Sequence, residues 1–278
     1  MNVAHPAVLP CAVCSGEELD GPPYLWSDLL ARRNALALRL EDLVPVLRVD
    51  WEKYRAREAG DLPVGPDLVG ELIAMENFVA QEAAAMLAAA PAVGRVVLDA
   101  VVDQVAFNTT YPQACTLRDC VPYPLTLQHV AVGRAAAELS RRGHDVEVYR
   151  GAGRRADLTV RRQAAGLEKN ETAALLGVEK KHYYTWERGK PPSPGLLAEL
   201  QAVDDFITTC ASQLEVTDVG VVSVVLMLDD QRQFERAYPQ ARTLRDGAPY
   251  PIRVHRVAAA RRAHQLAGAR SRIAVSAD

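Results

Sequence analysis

The chain carries one block of sequence twice, and that constrains it more than any other feature. Phe107, Tyr111-Pro112-Gln113-Ala114, Thr116-Leu117-Arg118-Asp119 and Pro122-Tyr123-Pro124 return as Phe234, Tyr238-Pro239-Gln240-Ala241, Thr243-Leu244-Arg245-Asp246 and Pro249-Tyr250-Pro251, with the same internal spacings. A second matched set lies upstream: Arg32-Arg33, Tyr54, Glu58 and Gly60 in the first half, Arg161-Arg162, Tyr183, Glu187 and Gly189 in the second. The repeating unit is therefore about half the chain, and what one unit does the molecule is expected to do twice.

Each unit opens on three short helical segments. In the second half, residues 158–165 read as an amphipathic helix led by Asp157 and broken by Gly166. A further apolar-periodic stretch runs from Lys169 to Leu176, Gly177-Val178 makes a corner, and Glu179 to Arg188 forms a third helix stopped by Gly189. A glycine at the second bend lets the third helix cross the second steeply, which entry into a major groove requires. The first half shows a looser version over residues 29–60, with Arg48 at the glycine corner and Pro45 inside the second helix, where proline costs about 3 kcal/mol.

The sequence of residues 158–189, LTVRRQAAGLEKNETAALLGVEKKHYYTWERG, resembles the Cro/C1-type (XRE) helix-turn-helix. That pattern has a basic first helix, an alanine before a Leu-Gly-Val corner and a closing Trp-Glu-x-Gly. The resemblance implies that Ala173 sits where helices two and three touch and that Val178 and Tyr183 face the core. It leaves Lys180, Lys181, His182, Tyr184, Thr185 and Arg188 as the open face of the third helix. In the first half that face would be Trp51, Glu52, Lys53, Arg55 and Arg57. The downstream blocks are similar to small phage-type regulators of the YdiL kind, including anti-CRISPR-associated autoregulators, in which this part dimerises the protein. Those relatives carry one unit per chain, so this sequence looks like their dimer fused into one polypeptide.

The resulting expectation is a mainly α fold with small β content (α+β), in two tandem repeats. Each pairs a helix-turn-helix with a helix–strand–helix–strand module of the dimerisation type. The expected divisions are an N-terminal arm at 1–23, a first unit at 24–150, a Gly- and Arg-containing linker at 151–156 and a second unit at 157–278. Helices are expected from Asp67 to near Ala90, Leu125 to Ser140, Pro194 to near Glu215 and Ile252 to Leu266. Strands are expected at Val93 to Val101, Asp145 to Tyr149, Val216 to Leu228 and Ser271 to Val275. Strands this apolar want cover on both faces, so the β segments of the halves are expected to join in one shared sheet, with an ordinary two-domain arrangement of little contact as the alternative.

Composition agrees with a globular protein: 278 residues, 49% hydrophobic and 24% charged. No apolar run is long enough to span a bilayer and the N-terminus lacks the order of a signal peptide, so a cytoplasmic protein without a membrane partner is expected. The formal charge of −3 is not that of a wholly basic nucleic-acid binder, but basic residues crowd from Arg141 to Lys190, and a polarised surface binds phosphate whatever the total. Cys11 and Cys14 with His5 make half of a zinc site; no second pair follows, so neither metal nor cofactor is expected. There is no phosphate loop, nucleophile elbow or His-Glu-x-x-His helix, and His129 aligns with Arg256, so no enzyme is expected.

The function expected is that of a sequence-specific DNA-binding regulator, a repressor or autorepressor that acts as a monomeric pseudo-dimer on an imperfect inverted repeat in double-stranded DNA. A homodimer is the other assembly considered. Lysines and arginines of the third helices, with Arg161 and Arg162, would hold phosphates. Lys181 and Arg188 suit guanine edges, Tyr184 and Thr185 a thymine methyl, and Trp51, Lys53, Arg55 and Arg57 would read the other half-site. The alternatives are an RNA-binding translational autoregulator, for which Trp51 and Tyr184 offer stacking surfaces, a helix-turn-helix antitoxin, and an interaction protein whose motifs have lost DNA binding.

Overall fold

The computed structural model describes residues 24–220, 222–266 and 270–276, and among these the chain is mainly helical with two small sheets. The first half runs α1 (Trp26–Ala35), α2 (Leu40–Leu47), α3 (Trp51–Ala59), α4 (Pro66–Ala89), β1 (Arg95–Ala100), α5 (Gln104–Thr110), α6 (Thr126–Arg141), β2 (Asp145–Arg150) and β3 (Arg154–Arg155). The second runs α7 (Asp157–Ala164), α8 (Lys169–Leu175), α9 (Lys180–Glu187), α10 (Pro194–Gln213), β4 (Val216–Val219), β5 (Val222–Met227), α11 (Gln231–Ala237), α12 (Arg253–Gln265) and β6 (Arg270–Val275). The elements α1 to α6 with β1 and β2 thus recur in order as α7 to α12 with β5 and β6.

The repeated block now has a physical meaning. Asp103 and Asp230 cap the short helices α5 and α11 by accepting the N–H of Ala106 and of Gln233, each at 2.9 Å. Gln104 donates to the Tyr123 carbonyl (2.8 Å) and accepts the Leu125 N–H (2.9 Å); Gln231 does the same with Tyr250 (3.0 Å) and Ile252 (2.7 Å). Above them Phe78 packs edge-on against Phe107, Tyr111 and Tyr123, as Phe206 does against Phe234, Tyr238 and Tyr250. The two prolines and the tyrosine between them are thus scaffold.

The sheets correct the expectation of a shared one. They are separate three-stranded sheets in the orders β1-β2-β3 and β4-β5-β6, each with one parallel and one antiparallel pair. The apolar run from Val216 to Leu228 is not one strand: Gly220, at φ +62°, lies between β4 and the strand antiparallel to it. Residues 151–156 are not a free linker either. Within them β3 pairs back on β2, and Arg155 bridges Glu147 (2.9 Å) and Asp157 (2.7 Å).

What ties the halves together is an exchange of helices. α7 lies against α6 of the first half, and α1 lies against α12 and β6 of the second. Asp157 accepts the Val148 N–H of β2 (3.1 Å) while Asp28 accepts the Ile273 N–H of β6 (3.0 Å), so each half's leading helix completes the other half's sheet. Close approach demands a small residue: a Cβ on Gly133 of α6 would come within 2.2 Å of the Val160 carbonyl of α7. Two hydrophobic cores follow, one taking in Val160 from the second half and the other Ala31 and Ala35 from the first.

One difference between the halves has a pH consequence. Gln128 bridges the Val101 N–H (3.0 Å) and the Asp99 carbonyl (3.1 Å); the matching residue of α12 is His255, buried beside the Phe234 and Tyr238 rings with neither ring nitrogen hydrogen-bonded among the described residues. Burial, and then the charge of Arg256, push its pKa down to about 4. The unfolded imidazole binds a proton below about pH 6.5, whereas the folded one resists until about pH 4. Stability from this site is full above the upper limit and is lost as pH falls through that window. His255→Gln is expected to remove about 2 kcal/mol of the stability difference between about pH 7.5 and pH 5, read by urea unfolding. An acid loss identical to that of the parent chain would exclude His255 as its source.

Candidate nucleic-acid interface

In the second half α7, α8 and α9 form three short helices with left-handed glycines at both bends, Gly166 (φ +69°) and Gly177 (φ +61°). In the first half Arg48 takes the left-handed position after α2 (φ +50°), a conformation that costs a non-glycine residue about 1–2 kcal/mol. Pro45 does lie inside α2, on its exposed side.

A buried clamp locks the first helix of each motif to the third. Arg162 Nε donates to Glu187 Oε1 (2.6 Å), its Nη1 donates to the Leu167 carbonyl (2.8 Å), and the hydroxyl of fully buried Tyr183 donates to the same carboxylate (2.8 Å). Burial works to raise the Glu187 carboxyl, but the charge and hydrogen bond of Arg162 and the Tyr183 hydroxyl outweigh it and hold it below the usual carboxylate range. Burial and the neighbouring carboxylate push the Tyr183 phenol up. The first motif keeps the arginine–carboxylate part of the clamp, half-buried, with Arg33 and Glu58 at 2.6 and 2.9 Å, while the buried Tyr54 hydroxyl has no hydrogen-bond partner among the described residues.

This corrects the role expected for the paired arginines. Arg161 and Arg162 are each 7% exposed; Arg161 donates to Gln201 (2.8 Å) and to Ser140 Oγ (2.9 Å), and neither guanidinium is open to a phosphate. The signal was present in the sequence. Arg33 and Arg162 recur together with Glu58 and Glu187, each pair at one spacing, which is the mark of a conserved internal partner for each arginine within the repeat. Other basic residues of the central stretch are also paired: Arg141 reaches Glu138, Asp204 and Asp205, and Arg155 reaches Glu147 and Asp157.

The outer face of α9 is different. Lys180, Lys181, His182 and Arg188 are exposed, and among the described residues Lys180, Lys181 and Arg188 have no ion-pair partner. Thr185 is half-buried with its hydroxyl donating to the Lys181 carbonyl (2.9 Å). Tyr184 is turned aside: its hydroxyl donates to Asn170 (3.1 Å) and Lys169 lies over its ring at 5.7 Å. On α3 Trp51, Lys53 and Arg55 are exposed, Glu52 stands where α9 has Lys181, and half-buried Arg57 donates to the Pro63 carbonyl (3.3 Å). The outer faces of α3 and α9 therefore differ in charge, while an arginine–glutamate pair recurs behind each.

The Thr-Leu-Arg-Asp block braces each motif from below. Glu71 of α4 accepts the N–H groups of Leu117 (3.0 Å) and Arg118 (3.1 Å), and Arg118 donates to the Leu47 carbonyl at the end of α2 (2.7 Å). Glu199 of α10 accepts those of Leu244 (3.0 Å) and Arg245 (2.6 Å), and the Arg245 guanidinium covers Gly177.

No family model, curated protein or solved structure matches this chain. What the site does is argued from its residues. A polar cleft of about 390 Å³ lies between the motifs, bounded by Arg39 and Asp42 of the first half and Lys169, Tyr184 and Arg253 of the second. Arg253 is engaged there with Glu168, Glu171 and Asn34. Among the described residues no group of His, Cys, Asp and Glu is arranged to hold a metal, and His5, Cys11 and Cys14 lie outside them. No described helix is long and apolar enough to cross a membrane.

Proposed function

We propose that the chain is a sequence-specific DNA-binding transcriptional regulator, a repressor or autorepressor. In this reading it is a fused pseudo-dimer of two helix-turn-helix units, it works as a binding protein rather than a catalyst, and it occupies an imperfect inverted repeat. The observation that carries the reading is the outer face of α9: exposed, cationic and, among the described residues, without ion pairs at Lys180, Lys181 and Arg188, on a helix clamped from behind by Arg162, Tyr183 and Glu187. A rigid helix with free cations on one face matches what major-groove reading needs. The likeness of residues 158–189 to the XRE pattern and the reciprocal exchange of α1 and α7 support it.

In this reading Lys181 and Arg188 would read guanines and Lys180 would hold a phosphate, while Trp51, Lys53 and Arg55 would give the first unit a different preference. Arg57 and Tyr184, being tied to Pro63 and Asn170, contribute less than an exposed side chain would.

The test is binding to DNA selected from a random pool. Lys181→Ala and Arg188→Ala are each expected to weaken the selected site by about 1–3 kcal/mol with the melting transition unchanged. For the parent chain, log affinity is expected to fall linearly with log salt, with a slope near −0.9 per phosphate contacted, and Lys180→Ala should reduce that slope by about one. Salt-independent binding, or full affinity in both reading variants, would remove α9 as the reader. Equal or better binding to the transcript would move the reading to RNA.

A further inference from the structure

The two sheets differ at one edge. In the second half β5 is flanked by β4, which pairs antiparallel to it with Thr217 opposite Val224 and Val219 opposite Val222. In the first half the matching strand is β1, and no described strand lies along that side of it. The Asp145 N–H donates to the Gly94 carbonyl, so along the extended strand Val96, Leu98 and Ala100 address β2 and Arg95, Val97 and Asp99 turn their backbone groups to the open side. The Asp99 carbonyl already accepts from Gln128 (3.1 Å) and keeps a second lone pair. An unpaired edge of this kind is a template for another strand.

The side chains on that edge say which strand. Arg95, Val97 and Asp99 are all exposed on one face, Val97 at 54%, while Val96 and Leu98 are buried on the other. Turned antiparallel about a two-fold axis at Val97, the segment is complementary to itself. Arg95 lies opposite Asp99 of the second copy, Val97 opposite Val97, and Asp99 opposite Arg95, and each opposed pair can exchange backbone hydrogen bonds. We propose that β1 is a docking edge for a second copy of this chain, joining two β1-β2-β3 sheets into one across an isologous contact. This interface is distinct from the exchange of α1 and α7 within the chain and does not depend on DNA binding.

A contact of this size is weak, so the mass in solution is measured by sedimentation over about 10–200 µM protein. The parent chain is expected to rise from one chain mass towards two. Arg95→Asp and Asp99→Arg each set like charges opposite one another and are expected to stay at one chain mass, as is Val97→Lys. An equimolar mixture of Arg95→Asp with Asp99→Arg restores both opposite-charge pairs and is expected to return to two chain masses, which also shows that both variants are folded. Arg95→Asp leaves Glu147 its contact with Arg155 (2.9 Å). A parent chain that stays at one mass throughout, single variants that dimerise like the parent, or a mixture that stays at one mass would each overturn the proposal. So would dimerisation seen only after residues 1–23 are removed, which would assign the edge to the chain's own first residues.

Discussion

Glu187→Ala is expected to destabilise the protein by about 3–5 kcal/mol, the range found when one partner of a buried ion pair is removed. The carboxylate answers Arg162 (2.6 Å), the Tyr183 hydroxyl (2.8 Å) and Lys169 (3.1 Å), and only Lys169 is free to turn to water. Without it, Arg162 keeps its charge in a site that is 7% exposed with the Leu167 carbonyl as its remaining acceptor. The Tyr183 hydroxyl is left without that bond. Denaturant unfolding reads the loss, and Arg162→Met in the same chain should recover part of it by removing the stranded charge. Under conditions where Glu187→Ala is folded, the salt slope of DNA binding should be that of the parent. A loss below about 1 kcal/mol would mean that Arg162 is not held from behind, and would return it to the set of phosphate contacts.

Cutting the selected operator to one half-site is expected to weaken binding by about 10²–10⁴-fold, or roughly 3–5 kcal/mol. The exchange of α1 and α7 fixes the two motifs to one body, so the second engages at a high effective concentration once the first is bound. On the full operator one chain should saturate one duplex, with half-sites roughly 10 base pairs apart if both third helices enter successive major grooves. The β1 edge does not alter that ratio, since two edge-paired chains would take two duplexes. Two chains per duplex, or a loss under tenfold, would leave α9 as the only reader and the first motif as its structural partner.

Local signals carried much of the fold. The glycines at 166, 177 and 189 and the 3.6-residue periodicity place α7, α8 and α9 within a residue or two, because helix bounds depend on near neighbours. The seven-residue helices α5 and α11, which end just before the Tyr-Pro-Gln-Ala blocks, are too short to show a periodicity, their starts being set by Asp103 and Asp230 as caps. The hairpin between β4 and β5 was signalled by Gly220 within an apolar run, a glycine being the usual sign of a break there. A long basic side chain taken alone looks the same in sequence whether it meets water or a carboxylate, and only the recurrence of Arg33 with Glu58 as Arg162 with Glu187 marks the internal partner. Arg162 and Glu187 are separated by 25 positions and meet only once α9 folds back over α7. The separate sheets depend on α1 and α7 changing sides, which no local pattern encodes.

The bond from Ser27 to the Ile273 carbonyl joins residues 246 positions apart. During synthesis α1 emerges well before α12 and β6, the helix and strand of the other half on which it packs. At about 5–20 residues per second the ribosome leaves α1 without its seat for roughly 12–50 s. α7 has no such delay, since α6 and β2 precede it. The leading helix of the second motif therefore meets its partner in the other half as soon as it is made, whereas that of the first waits until α12 and β6 return to meet it.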